Sequence, residues 1–205
     1  MGHREQLLAG ARQCLYERGY AGTTARDIVA ASETNLASIG YHFGSKDALL
    51  VAALVQALAD WGTDLEQRLT TVAGRPDPLD RLEATWAAVI GSIEVHRQLW
   101  LATYEAFVQV DRSAELRQML SAAYESARAG LAAMLLWTPA QPGDRVARTV
   151  GSFQLALVSG LSAQWLLDPG AAPAASDLMT GLRALIGAIQ AEDATGDAVG
   201  DAETV

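Results

Sequence analysis

Residues 24–46 read TARDIVAASETNLASIGYHFGSK, and the fold class follows from how this stretch divides. Thr24 and Asp27 have capping-box spacing, with Asp in place of the usual Glu or Gln. They open a short helix over about 24–31 that carries Ile28 and Val29. Ser32, Glu33 and Thr34 interrupt it. Asn35 is a good N-cap for a second short helix over about 35–42, which ends near Gly44. Ser45 caps a longer helix, in which Leu49, Leu50, Ala53, Leu54, Ala57, Leu58 and Trp61 recur on one face.

The same periodicity extends in both directions. Upstream, Leu7, Ala11, Cys14 and Leu15 form one stripe over 4–18, and Gly19 stops that helix. Downstream, the Gly- and Pro-containing stretch 73–78 is a loop. It is followed by helices over 79–96, 98–109 and 112–137, a break at 138–144, and helices over 145–167 and 175–191 separated by Asp168-Pro169-Gly170. No segment reads as a strand. The expectation is an all-α chain with a domain over 1–47, a second over 48–192, and an acidic tail over 193–205 too poor in large apolar residues to order.

Composition narrows the class. Half of the 205 residues are hydrophobic, mostly Ala, Leu and Val, and 6% are aromatic, a mix that favours helices. No apolar run approaches the ~18–20 residues of a membrane span. The closest, 150–167, is interrupted by Ser152, Gln154, Ser159, Ser162 and Gln164. No secretory-signal pattern opens the chain. The single cysteine, Cys14, excludes an intramolecular disulfide and a multi-cysteine metal site, and reads as a small core residue. The expectation is a soluble, cytoplasmic protein without a membrane partner. Nucleophile-elbow, P-loop and dinucleotide-binding motifs are absent, and the three histidines lack metal-ligand spacing. No catalytic residue, metal or cofactor is therefore expected. The net charge of −9 lies wholly in residues 51–205, because five basic and five acidic residues balance over 1–50. Phosphate attraction is local, falling off over ~8–10 Å, so an acidic body leaves a neutral end free to meet DNA.

Two short helices joined by a tight turn have the size and spacing of a helix-turn-helix, whose second helix enters the major groove. Asn35, Ser38, Tyr41 and His42 carry hydrogen-bonding groups suited to base edges or phosphate oxygens. Lys46 falls in the first turn of the next helix, where backbone N–H groups and the helix dipole also favour an anion. Tyr41 has the alternative of packing on the first helix, and His42 of a local cap.

Gly19-Tyr20, Thr23-Thr24, Asp27-Ile28 and the run from Leu36 to Leu50 resemble the N-terminal domain of the tetracycline-repressor (TetR) family, over residues 4–52. The resemblance implies a three-helix DNA-binding domain joined through a fourth helix to a ligand-binding, dimerising domain. It implies that Thr24, Tyr41 and Lys46 contact phosphates, that Asn35, Leu36, Ala37, Ser38 and His42 face the groove, and that Ile28, Phe43 and Leu49 are core. Two departures stand out. Glu33 occupies a turn position where the family often has Gly. Gly40 stands where many relatives have a phosphate-reaching Tyr or Asn, and it costs ~1 kcal/mol of helix stability relative to Ala.

Beyond residue 53 the resemblance is weak. Over 145–167, Val146, Val150, Phe153, Leu157, Leu161 and Trp165 make one stripe, and Leu178, Leu182, Leu185, Ile186 and Ile189 follow in the last helix. Two such helices suit a four-helix interface with a symmetry mate. The expected dimer residues are therefore Val150, Phe153, Leu157, Leu161, Trp165, Leu178, Leu182, Leu185 and Ile189. A ligand pocket is expected among Trp61, Trp86, His96, Trp100, Tyr104, Glu105, Phe107, Trp137 and Gln154. Trp100, Tyr104 and Phe107 share helical spacing and serve equally as plain core. Glu105, if buried, needs a partner: a cationic ligand, or an arginine such as Arg97 or Arg128. The resulting expectation is a repressor that binds a palindromic operator as a homodimer and is released by a small, largely apolar effector. An activator of the same fold, or a helical binding or scaffold protein with a vestigial helix-turn-helix, are the alternatives.

Overall fold

The computed structural model describes residues 2–136 and 144–200, and within them every regular element is helical. In chain order these are α1 (His3–Arg18), α2 (Ala25–Ser32), α3 (Leu36–Phe43), α4 (Lys46–Leu69), α5 (Pro78–Val95), α6 (Arg97–Phe107), a 3₁₀ turn (Val110–Arg112), α7 (Ala114–Leu136), α8 (Arg145–Leu167) and α9 (Ala175–Gly200). The caps read from sequence form. Thr24, Asn35 and Ser45 each accept the N–H three residues on. Asp77 does the same for α5, accepting from Leu79 and Asp80 with Pro78 behind it.

Three boundaries move. The expected helices over 98–109 and 112–137 are separated by the 3₁₀ turn, because the Ser113 hydroxyl accepts Leu116 N–H at 3.3 Å and starts α7 there. The backbone of α9 continues to Gly200, past the expected start of an unstructured tail at 193. Residues 191, 194 and 198 are alanines, whose intrinsic propensity favours helix, whereas the expectation weighed only missing apolar burial. Residues 201–205 lie outside the described residues.

Two apolar clusters hold the chain. One gathers Leu7, Cys14, Ile28, Ile39, Leu50 and Leu54 from α1–α4 and continues without a break into Leu99, Ala102, Ala106, Leu116 and Leu120 of α6 and α7. The expected division at 47/48 thus falls in the first turn of α4, a helix whose upper half belongs to the N-terminal core. The second cluster joins the lower half of α4 to α5, Trp100 of α6, α7, α8 and Leu178 of α9. The helices α7 and α8 pass close together. A Cβ on Gly151 would lie 2.0 Å from the Arg128 carbonyl oxygen, so this position admits no larger residue.

By length and composition alone, α4 and α8 are apolar enough to cross a membrane, although neither is an unbroken apolar run. Mean hydropathy averages over a helix, so a few Ser and Gln among many Leu, Val and Ala leave it high. In α4 the explanation is core packing, since Ala48 to Val51, Ala53, Leu54, Ala57, Leu65 and Leu69 are all buried.

Candidate nucleic-acid interface and ligand cavity

The α2 cap is a closed circuit. The Thr24 hydroxyl accepts Asp27 N–H at 3.2 Å and donates to Asp27 Oδ2 at 2.6 Å, and Thr24 N–H donates to the same oxygen at 2.9 Å. These bonds, with Arg18 Nη1 at 3.0 Å from Oδ1, hold the Asp27 carboxyl below the usual carboxylate range. Thr24 is therefore exposed at the expected place, but its hydroxyl proton is committed to Asp27. A phosphate there would have to displace that bond.

The turn closes on a left-handed residue. Glu33 has φ 52° and ψ 36°, which is unusual for a side chain with a Cβ. Its N–H and that of Thr34 both reach the Val29 carbonyl, the latter at 3.1 Å. This satisfies the end of α2 and sets the angle at which α3 leaves.

In α3 the structure sorts the expected reading residues. Asn35 Oδ1 accepts both the N–H and the hydroxyl of Ser38, at 3.0 and 3.2 Å, so its outward hydrogen-bonding group is the side-chain NH₂. Ser38 is buried and does not face outward as expected. It lies beside Ile39 on the core side of the helix, a placement the period of 3.6 imposes once Ile39 is anchored. Leu36 is 52% exposed, Tyr41 is 86% exposed, and Ala37 and Gly40 are exposed. Tyr41 does not pack on α1. Its ring meets His42 edge-on at 4.8 Å. His42 is half-buried, and Phe43 packs on the core with Arg4 5.3 Å from its ring centre.

Lys46 opens α4 as expected. Its ammonium donates to the Thr23 carbonyl at 3.2 Å, pairs with Asp47 at 3.1 Å, and lies 5.8 Å from the Tyr20 ring centre. It is a positioned cation rather than a free one. Arg26, in the first turn of α2, was not singled out from sequence. It is exposed, two residues after Thr24, and forms no ion pair among the described residues. Its position in the first helical turn of the motif was the available signal.

In the C-terminal half, a cavity of about 330 Å³ opens between α4, α6, α7 and α8. Trp61 and Trp100 line it, with rings edge-to-face at 5.1 Å, and the Trp61 indole donates to Ser92 at 3.0 Å. The other aromatic and polar expectations fall elsewhere. Trp86 and Gln154 are buried but outside the lining, and His96 forms the α5–α6 junction. Phe107 joins the N-terminal cluster. The Tyr104 hydroxyl turns to α8, donating to the Ser159 carbonyl and meeting the Ser162 hydroxyl at 2.8 Å. Trp137 lies outside the described residues. The lining that sequence reasoning missed comes mostly from α4 and α7: Val55, Leu58, Gly62 and Glu66, with Tyr124 and Met134 opposite. The i, i+3, i+7, i+11 spacing of the α4 set was the available signal.

Glu105 corrects an expectation. It pairs with neither Arg97 nor Arg128 and does not line the cavity. Its carboxylate accepts Ala21 N–H at 2.9 Å and stands over Gly19, where a Cβ would come within 3.1 Å of it. Arg128 is taken by Glu125. One helix, α6, thus carries a cavity wall at Trp100 and a contact to the α1–α2 loop at Glu105.

Of the expected dimer residues, Leu161 is buried in this chain's own core, and Trp165 and Leu178 pack partly on it. Val150, Leu157 and Leu182 are half-buried. The uncovered apolar face consists of Val146, Phe153 and Leu167 on α8 and Leu185, Ile186 and Ile189 on α9.

Comparison with known proteins agrees with this geometry. Residues 7–53 match the bacterial regulatory proteins of the tetR family. The chain is 32% identical over 103 residues to the HTH-type transcriptional regulator BetI of Burkholderia ambifaria, covering 48% of this chain and 52% of that one. It is 41% identical over 49 residues to the HTH-type transcriptional repressor AcnR of Corynebacterium efficiens, covering 24% of this chain and 26% of that one. The chain spans about half the length, or less, of these curated relatives. Among solved structures, the multidrug binding protein EbrR complexed with proflavin superposes with a TM-score of 0.60 and 25% identity, over 88% of this chain and 99% of that one.

Proposed function

We propose that this chain, whose residues 7–53 match the bacterial regulatory proteins of the tetR family, is a cytoplasmic transcriptional repressor. In this reading it binds a palindromic operator as a homodimer and is released by a small, largely apolar effector. The observation that carries the reading is the outward face of α3. Leu36, Ala37 and Tyr41 stay uncovered on a helix whose opposite face is anchored in the core. A large aromatic left in water on a rigidly held helix fits a surface waiting for a partner.

On this reading α3 enters the major groove. Leu36 and Ala37 offer apolar contacts to thymine methyls, and the Asn35 NH₂ and His42 offer hydrogen bonds. Tyr41, Lys46 and Arg26 hold the phosphates on either side, and Thr24 joins them if its bond to Asp27 yields. The exposed apolar faces of α8 and α9 pair with those of a second copy. That pairing sets two α3 helices about one helical turn of DNA, ~34 Å, apart. The cavity takes the effector, in line with a neighbour that binds an organic dye. Because α6 forms both a cavity wall and the Glu105 contact, a ligand that repositions α6 shifts the DNA-binding head. A ligand that prefers the shifted state lowers operator affinity by the same ratio.

The test is protection of DNA flanking the protein's own gene. The wild type should protect an inverted repeat. Lys46→Ala should weaken binding to all sequences alike and flatten the salt dependence by about one phosphate's worth per head. Unchanged binding by folded Lys46→Ala and Tyr41→Ala variants would refute this placement of the interface.

A further inference from the structure

We infer that α3 recognises the C5 methyl group of pyrimidines in the major groove, so that it prefers thymine over uracil and 5-methylcytosine over cytosine. The inference rests on the proposed placement of α3 in the groove and adds the chemical group by which the operator is told from other DNA.

The chemistry of the outward face leaves few other ways to read sequence. Its exposed residues are Leu36, Ala37, Gly40 and Tyr41, spread over about 140° of the helix, with Ser38 and Ile39 buried behind them. In the major groove guanine is read mainly by Arg or Lys on O6 and N7, and cytosine by Asp or Glu on its N4 amino group. The segment Leu36–Phe43 holds none of these four residue types. Adenine is read by a bidentate pair with Asn or Gln, which needs the amide oxygen as well as the NH₂. In Asn35 that oxygen already accepts the Ser38 N–H at 3.0 Å and the Ser38 hydroxyl at 3.2 Å. The backbone N–H fixes which end of the amide turns inward. The NH₂ left free donates alike to A N7, G N7, G O6 or T O4, so it holds a base edge without identifying it.

What remains on this face is apolar. Leu36, the first residue of α3, is 52% exposed, and Ala37 beside it is exposed as well. The first residues of a recognition helix are those that reach base edges. Gly40 lies between Leu36 and Tyr41 on the same face. A Cβ there would have no atom within 4 Å beyond its chain neighbours and its own helix backbone. Nothing else in the protein fills the centre of the face, so the helix can settle deep enough for Leu36 and Ala37 to close over a methyl group. The one apolar group that a base pair presents in the major groove is the C5 methyl of thymine. In 5-methylcytosine the same methyl stands at the same ring position. Burying it against Leu36 removes water from both surfaces, worth about fourfold in affinity for each methyl, as for one buried CH₂ group.

The experiment uses the full chain and the inverted repeat that it protects. Each thymine of the repeat is replaced in turn by uracil, which keeps the base pair and loses only the methyl, and affinity is read by fluorescence anisotropy. At least one position in each half-site should lose about fourfold, and more than about tenfold when both half-sites carry uracil there. At that position 5-methylcytosine paired with guanine should bind about fourfold more tightly than cytosine paired with guanine. In Leu36→Ala, with folding checked by thermal melting, the uracil penalty at one position should all but vanish, whereas an effect of uracil on DNA shape would persist. Three results each overturn the methyl inference and leave the groove placement standing. They are a protected repeat indifferent to every uracil, 5-methylcytosine that binds no better than cytosine, and uracil penalties that Leu36→Ala leaves unchanged. If no DNA is protected, or if folded Leu36→Ala and Tyr41→Ala chains both bind as wild type, the placement and this inference fall together.

Discussion

Glu33 is the one described non-glycine residue with positive φ, and it sits where α2 turns into α3. A left-handed conformation costs a residue with a Cβ ~1–2 kcal/mol, and Gly avoids this. Gly also frees the unfolded chain, which returns ~0.5–1 kcal/mol to the unfolded side. Glu33→Gly should therefore stabilise the folded chain by ~0.5–1 kcal/mol. For a chain of this size that raises Tm by roughly 1–4 °C, compared at one protein concentration because dimerisation also shifts Tm. The substitution also removes a carboxylate beside the proposed interface. At a separation of ~10 Å, a carboxylate and a phosphate repel by ~0.4 kcal/mol in water before salt screening, so two heads together contribute about a two- to fourfold gain in operator affinity. Two companions separate the effects. Glu33→Gln keeps the backbone cost and loses the charge, so it should raise operator affinity without raising Tm. Glu33→Asn tolerates the left-handed region and should move both. Calorimetry and fluorescence anisotropy at two salt concentrations read the two quantities. A Glu33→Gly chain less stable than wild type, or a Glu33→Gln chain equally stabilised, would refute the argument from backbone strain.

Further expectations follow from packing. Phe153→Arg or Leu185→Arg, at positions 56% and 66% exposed in the single chain, should leave the fold intact and yield monomers by sedimentation. An unpaired charge in a buried interface costs several kcal/mol. An unchanged dimer in both variants would move the interface off α8 and α9. Gly151→Ala should lower Tm by many degrees, because its Cβ would come 2.0 Å from the Arg128 carbonyl oxygen and force α7 and α8 apart. A shift of under 2 °C would mean that this pair of helices separates easily. Glu105→Ala should blunt effector-driven release of operator by at least about threefold while effector affinity stays within twofold. Full coupling in that variant would make the Ala21 contact a bystander.

The helix-turn-helix was legible because its determinants are local. Thr24, Asn35 and Ser45 cap helices through bonds to N–H groups three residues away, and apolar spacing alone carries Ile28 and Leu49 inward. Which α3 side chains face out was less so. Ser38 looked like a reading residue by type, but its hydroxyl is spent on Asn35 once Ile39 fixes the rotation of the helix. The cavity was partly legible: Trp61 and Trp100 are in the wall, whereas Tyr104 and Glu105, one and two positions past the turn that holds Trp100, go to α8 and to the α1–α2 loop. Adjacent residues on a helix point ~100° apart, so the sequence marks a rich segment without saying which neighbour each residue meets. A Cβ on Gly130 would stand 4.0 Å from Glu66 Oε1 and one on Gly151 2.0 Å from the Arg128 carbonyl oxygen, and both approaches lie further still from any local pattern. They join residues on different helices, and such distances are set by how whole helices pack. Local spacing thus determined the fold class and the helix-turn-helix of this protein, and only the packing of α4, α6, α7 and α8 decided where its cavity lies and what lines it.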